Sequence, residues 1–254
     1  MKSLSIKYLQ LLLLMFVLPL IVSAQKTDYE KWNLKGKVKN IKESSFTKSK
    51  IGNQEKDSLE FFYINEFDEY GNKIVDTKYL PDGKVDKNYI YKYDNNHRST
   101  EQRKLQADGK IILIITYQYN AEGFLTEDNS VNGEGRPDKT MKYGYDDKGR
   151  VIEDNSFNAE GKLLKRFTYR YDSNGNVIEN NRYTADGNLD KRITFSYDSK
   201  NNVTEESSFK PDNTLIAKTI YQYEYDSHNN WTKKIKLSSG KTISFAERQL
   251  EYYK

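Results

Sequence analysis

The chain has 254 residues, with 41 lysines and arginines against 37 aspartates and glutamates, and no cysteine. Lack of thiols excludes disulfides, thiolate metal sites, a cysteine nucleophile and an acylated lipoprotein cysteine. The bases are interspersed with the acids, which excludes a nucleic-acid footprint, and 21 tyrosines in so polar a chain point to strands.

Residues 1–24 read as a cleaved export signal. Lys2 and Lys7 precede an apolar stretch from Leu9 to Val22, and Val22-Ser23-Ala24 offers small residues to a signal peptidase. The stretch is short for a spanning helix, which needs about 20 apolar residues. The expectation is export to the periplasm or the extracellular space, with no membrane span left after cleavage. Residues 25–66 then read as N-terminal capping strands, with Trp32, Leu34, Val38, Ile41 and Phe46 on the opening strand. The polar insertion over 47–57 reads as a mobile loop.

From 67 to 237 one unit repeats. Its turn recurs as Phe67-Asp68-Glu69-Tyr70-Gly71-Asn72, Tyr145-Asp146-Asp147-Lys148-Gly149-Arg150 and Tyr171-Asp172-Ser173-Asn174-Gly175-Asn176, and the leading aromatics stand at 67, 93, 119, 145, 171, 197 and 225. Five of those steps are 26 residues and the last is 28. A second turn keeps the same beat at Asp82-Gly83, Asp108-Gly109, Glu134-Gly135, Glu160-Gly161, Asp186-Gly187 and Asp212-Asn213. Two turns per unit leave two strands of about eight residues, a usual strand length. Before each aspartate the strand alternates, as in Met141, Tyr143, Tyr145 and Phe167, Tyr169, Tyr171, with Lys142, Thr168 and Arg170 between. A period of two with one apolar face marks an antiparallel strand. Val151 and Phe157 on the partner strand share parity and are expected on one face. Residues 238–254 read as a C-terminal capping strand.

The fold class that follows is all-β: a single antiparallel meander of repeated β-hairpins with a 26-residue period. A sheet of about fifteen twisted strands with one aromatic face must curl until that face is covered, as a roll, a spiral or a barrel.

The Tyr-Asp-x-x-Gly-Asn and Tyr-Asp-x-x-Gly-Arg turns, separated by a second glycine turn, resemble those of the RHS/YD-repeat family over about Phe67 to Trp231. Asn96 and Asn201 are read as replacing glycine in the degenerate copies, and Asn120 replaces aspartate. The resemblance implies a β-hairpin strip that winds into a spiral or shell, and a surface role. It implies no activity, because this short chain has no self-cleaving segment or toxin domain.

Glu101, Glu127, Glu153, Glu179 and Glu205 form a carboxylate column at the repeat period, two residues beyond Val151 and its equivalents. Parity places them on the aromatic face, with Glu179 across from Tyr169 and Ile193, unless a bulge turns them outward. They can serve as a structural ladder that accepts tyrosine hydroxyls or pairs with Lys165 and Lys191. Alternatively Tyr117, Tyr143, Tyr169, Glu127, Glu153 and Glu179 line a ligand-binding groove for glycan. A glycosidase needs two carboxyls held at different pKa, and equivalent glutamates offer no such asymmetry. His97 and His228 occupy different turn positions, and the aspartate turns lack the spacing of an EF-hand calcium loop, so no metal, cofactor or catalytic residue is expected. The expected function is a non-catalytic exported scaffold whose outer face or edge binds a cell-envelope protein. The alternative is a carbohydrate-binding protein that uses the Tyr/Glu face.

Overall fold

The computed structural model describes residues 27–51 and 54–254, so the expected export signal lies outside the described residues. A one-turn helix, α1 (Asp28–Lys31), precedes β1 (Val38–Ile51), β2 (Gln54–Phe67), β3 (Lys73–Tyr79), β4 (Val85–Tyr93) and β5 (Ser99–Gln106). Next come β6 (Ile111–Tyr119), β7 (Leu125–Asn132), β8 (Pro137–Tyr145), β9 (Val151–Asn158), β10 (Leu163–Tyr171) and β11 (Val177–Thr184). The chain ends with β12 (Leu189–Tyr197), β13 (Val203–Phe209), β14 (Leu215–Tyr225), β15 (Trp231–Ser238) and β16 (Lys241–Tyr252).

Each strand pairs antiparallel with its chain neighbours, and β16 returns to β1 in a register that sets Ile41 opposite Leu250 and Phe46 opposite Phe245. The sheet is therefore a closed barrel of sixteen strands. Closure removes the free edges over the body of the strip, while β1 and β2 project beyond their last barrel partners, with Thr47 the end of the β16 ladder and Phe62 the end of the β3 ladder. The expected loop over 47–57 is corrected. β1 and β2 extend into it from either side and pair with each other, with Thr47 opposite Ser58 and Lys48 opposite Asp57. The sequence there carries no alternating apolar pattern, and the register shows backbone pairing between the two strands.

Turn chemistry explains the repeat. In the Tyr-Asp turn of β8–β9, the Asp146 carboxylate accepts the Lys148 and Arg150 amides at 3.0 and 2.9 Å, and Gly149 takes φ +73°. In the degenerate copies the left-handed residue is His97 (φ 60°) or Asn201 (φ 62°). His97, not Asn96, therefore stands where glycine does.

Beside each turn lies a β-bulge, a signal the alternation does not carry. Gly144 pairs with Glu153 but Tyr145 pairs with Val151, leaving Ile152 without a partner in the ladder. The same shift falls between Arg170 and Tyr171 and between Ser196 and Tyr197. A one-residue slip moves every following side chain to the other face. Tyr169 and Ile193 consequently face Asn180 rather than Glu179. Val151 pairs with the inward Tyr145 while Phe157 pairs with the outward Thr140, so these two do not share a face.

The tyrosine face is the interior. Residues 27–37 lie across the Tyr-Asp-turn mouth: the Asp28 carboxylate accepts the Tyr93 hydroxyl at 2.7 Å, the Asn33 amide donates to the Lys200 carbonyl at 2.7 Å, and the Lys35 amide donates to Asn230 at 2.8 Å. This segment packs Tyr29, Trp32 and Leu34 against Val38, Ile41 and Phe67, which together form the apolar core. A sixteen-stranded barrel is too wide for its own side chains to fill.

Candidate functional site

The interior wall is built in tiers. In the tier nearest the plugged mouth, each tyrosine donates its hydroxyl to the first carbonyl of the preceding strand: Tyr93 to Lys73 (2.7 Å), Tyr119 to Ser99 (2.8 Å), Tyr145 to Leu125 (2.7 Å), Tyr171 to Val151 (2.6 Å) and Tyr197 to Val177 (2.7 Å). Each acceptor begins a strand beside a bulge, where the ladder is interrupted and a carbonyl needs another partner. Burial and the neighbouring Tyr171 push the Tyr145 phenol up to about 12.

One tier deeper, tyrosines bond to polar side chains of the preceding strand. Tyr91 donates to Asp76 at 3.0 Å, Tyr117 to Gln102 at 3.1 Å, Tyr143 to Asp128, and Tyr169 to Asp154 at 2.5 Å. Burial raises the pKa of both Asp128 and Asp154, while their tyrosine hydrogen bonds oppose the shift. Asp154 is 8% exposed, and its Oδ1 has no hydrogen-bond partner.

The six candidate residues fall into two groups. Tyr117, Tyr143 and Tyr169 stand together on the inner wall, half-buried, with hydroxyls committed and rings facing the lumen. Glu127, Glu153 and Glu179 are on the outer wall, because the bulge reverses parity one residue before them. There Glu127 meets Lys142 at 3.5 Å, Glu153 meets Arg166 at 3.9 Å, and Glu179 meets Arg170 and Arg192 at 3.7 Å each. Asn129, Asn155 and Asn181 donate to the same carboxylates at 2.7–2.9 Å. The glutamates thus form a ladder, but with arginine, lysine and asparagine rather than with tyrosine, Lys165 or Lys191. The inward acids are the neighbouring Asp128 and Asp154, a single-residue offset that would have required predicting the bulge.

Between the plug and the turns of β6–β11 lies a cavity of about 520 Å³, lined by Phe124, Leu125, Tyr143, Tyr145, Val151 and Tyr171, with Lys31, Lys148 and Arg150 at its rim. Arg150 is held by Asp146 at 2.6 Å, and its guanidinium lies 4.8 Å from the Tyr171 ring centre. Lys31 pairs with Asp28 at 3.2 Å. Such a pocket can take an apolar or ring-bearing body with a polar end. Among the described residues no group of three histidines, cysteines, aspartates or glutamates gathers where it could hold a metal ion.

A second interior cluster went unread in the sequence. Arg248, with its side chain 7% exposed, donates to Glu43 at 2.8 Å and stacks 3.5 Å from the Trp231 ring centre, at the seam where β16 meets β1. Its partner lies 205 residues away in the chain, so no local pattern announces it.

The molecule is thus a closed hairpin-repeat barrel with a tyrosine-lined lumen and one plugged mouth. No family model matches it, and no curated protein does. Among solved structures it is similar to a porin-like protein from Bacteroides uniformis ATCC 8492, with 13% identity over 84% of this chain and 96% of that one and a TM-score of 0.58. A porin-like protein from Bacteroides vulgatus ATCC 8482 aligns at 15% identity over 85% of this chain and 98% of that one, with a TM-score of 0.49. A chain of the TcdB2-TccC3-Cdc42 crystal structure aligns at 18% identity over 79% of this chain and 11% of that one, with a TM-score of 0.34. The first likeness shows a shared fold; the other two are too distant to carry an argument.

Proposed function

We propose that this protein is an exported, non-catalytic binding protein of the cell envelope that receives its ligand inside the barrel. The observation that carries this is the cavity of about 520 Å³ at the plugged mouth, walled by Phe124, Tyr143, Tyr145 and Tyr171. Those tyrosine hydroxyls are already bonded to backbone or aspartate, so the rings act as apolar walls. Export rests on the basic, apolar and small-residue order of 1–24. Kinship with RHS/YD-repeat proteins rests on the turn motif alone and belongs to the same proposal.

The outer wall supports a barrel that stands in water. Lys92–Glu101, Lys142–Glu127, Arg170–Glu179 and Lys218–Glu205 pairs ring its outward face. A lipid-facing barrel carries an apolar band there. The carbohydrate-binding reading keeps one supporting observation, the half-buried rings of Tyr143 and Tyr145 on the cavity wall, and loses the glutamates as contacts.

The test is saturable binding of a neutral apolar reporter, N-phenyl-1-naphthylamine, alongside a glycan array. Asn174→Trp fills the cavity mouth from an exposed turn and should abolish reporter binding. Reporter binding that ignores this change would overturn the assignment of the chamber, and array binding that it blocks would identify the ligand as a sugar.

A further inference from the structure

Below the tyrosines, toward the Asp-Gly-turn mouth, the inner wall changes chemistry. Lys139 pairs across the sheet with Ser130, Lys165 with Ser156 and Lys191 with Arg182. Those partners in turn face Ile115, Met141 and Phe167 of the tyrosine-bearing wall. Cross-strand partners share a face, so all three lysines face the lumen. They recur at the 26-residue period on β8, β10 and β12, alternate strands of one continuous wall.

These lysines have no counter-charge. The acids nearest in sequence are otherwise engaged: Asp190 accepts Arg182 at 2.5 Å, and Asp138 accepts the Ser130 hydroxyl at 3.2 Å. The Ser130 hydroxyl bonds only the backbone of Lys139, and no ion pair or hydrogen bond engages the ammonium group of Lys139, Lys165 or Lys191. Their outward counterparts behave differently, since Lys142 and Arg166 both meet glutamates. Along each strand the inward order is therefore cation, then apolar or aromatic side chains: Lys139, Met141, Tyr143, Tyr145; Lys165, Phe167, Tyr169, Tyr171; Lys191, Ile193, Phe195, Tyr197. Among the described residues the one segment longer than two residues outside the strands and their turns is 27–37, and it covers the opposite mouth.

We infer that this wall binds an anionic amphiphile, its head held by Lys139, Lys165 and Lys191 and its apolar body laid along Met141, Phe167 and Ile193 toward the tyrosine tier. The inference rests on the chamber proposed above and adds the charge and polarity of its ligand. Three unneutralised ammonium groups on one wall, Lys139 and Lys165 exposed and Lys191 half-buried, are complementary to one anionic head. The tail lies on Met141, Phe167, Ile193 and the tyrosine rings above them, beside Asp128 and Asp154, which face Met141 and Phe167 across the sheet and are hydrogen-bonded by Tyr143 and Tyr169. The head can be the carboxylate of a fatty acid or the phosphate of a lysophospholipid.

Calorimetric titration separates these possibilities, using sub-micellar oleate, oleoyl lysophosphatidate and the uncharged oleyl alcohol. In K139Q/K165Q/K191Q the affinity for the anions should fall about tenfold or more, with oleyl alcohol unchanged. The outer-wall variant K92Q/K142Q/K218Q should bind all three as the parent does. Whichever anion loses more in the lumenal variant is the better match for the site. Equal losses in the two triple variants, no loss in the lumenal one, or no anion binding by the parent would each overturn the inference. If Asn174→Trp still blocks the neutral reporter while the lumenal variant binds oleate normally, the lysine site falls and the chamber stands.

Discussion

The Tyr253 hydroxyl donates to the Phe67 carbonyl at 2.7 Å, across 186 residues of sequence. It reaches over β1 from the end of β16 to the end of β2, while the Tyr253 amide donates to the Lys37 carbonyl at 2.8 Å. Elsewhere each tyrosine of this tier bonds to the strand before it, as Tyr145 does to Leu125. The last rung therefore ties the final half-unit to the first hairpin.

Tyr253→Phe should cost about 1–3 kcal/mol by leaving the Phe67 carbonyl without this partner. Amide exchange should accelerate along β1 and β16 before it does along β8 and β9. Tyr145→Phe removes an equivalent bond from the middle of the array, and its effect should stay with β7 and β8. Uniform acceleration in both variants would refute a localised seam.

Glu43→Gln strands the buried Arg248 guanidinium between Trp231 and Trp32 without its counter-charge. Loss of one partner of a buried pair costs about 3–5 kcal/mol. Denaturant unfolding followed by tryptophan fluorescence should report a shift of that size. A shift below about 1 kcal/mol would mean that water already reaches the guanidinium.

Asp128 and Asp154 have pKa values raised by burial. In the unfolded chain they titrate near the ordinary aspartate value, so the folded state binds more protons between the two values. Their contribution to stability is fully present below the unfolded pKa and is lost as pH rises through the folded one. Turn aspartates such as Asp146 and Asp172 are shifted down by their hydrogen bonds, so they act in the opposite sense and at lower pH. Urea titrations from about pH 4 to 7 should therefore show the double variant D128N/D154N gaining on the parent as pH rises. A stability difference constant across that range would refute the lumenal burial of these acids.

Gly71 adopts φ +87°, and a Cβ there would meet the Tyr29 ring at 2.6 Å. Gly71→Ala should cost about 1–3 kcal/mol through left-handed strain and should displace the plug, whose Tyr29 amide also donates to the Gly71 carbonyl at 3.2 Å. Proteolysis within 27–37 should accelerate while strand circular dichroism is retained. Gly83→Ala, with the same sign of φ and open space around it, is the control for strain alone.

The all-β class, the strand count to within one and the turn positions were legible because they depend on local chemistry. Aspartate bonds its own turn, glycine accepts a left-handed angle, and alternating aromatics need one buried face. Parity failed at the Glu153 column because a bulge inserts one residue without altering the composition around it. The strand pairing within 47–57 was missed because its residues lack an alternating face. The Arg248–Glu43 pair and the plug at Asp28 join distant parts of the chain and leave no periodic trace.

By itself, the amino-acid order determined a metronomic antiparallel meander with its phenol rings gathered on one side, because hydrogen-bonding and hydrophobic periods act over a few residues. Only the tertiary structure decided that the meander closes, that its aspartates rather than its glutamates face inward, and that residues 27–37 cover one mouth. Those outcomes depend on bulge register and on contacts between chain ends, where a single-residue slip reverses a face and no local preference sets the partner.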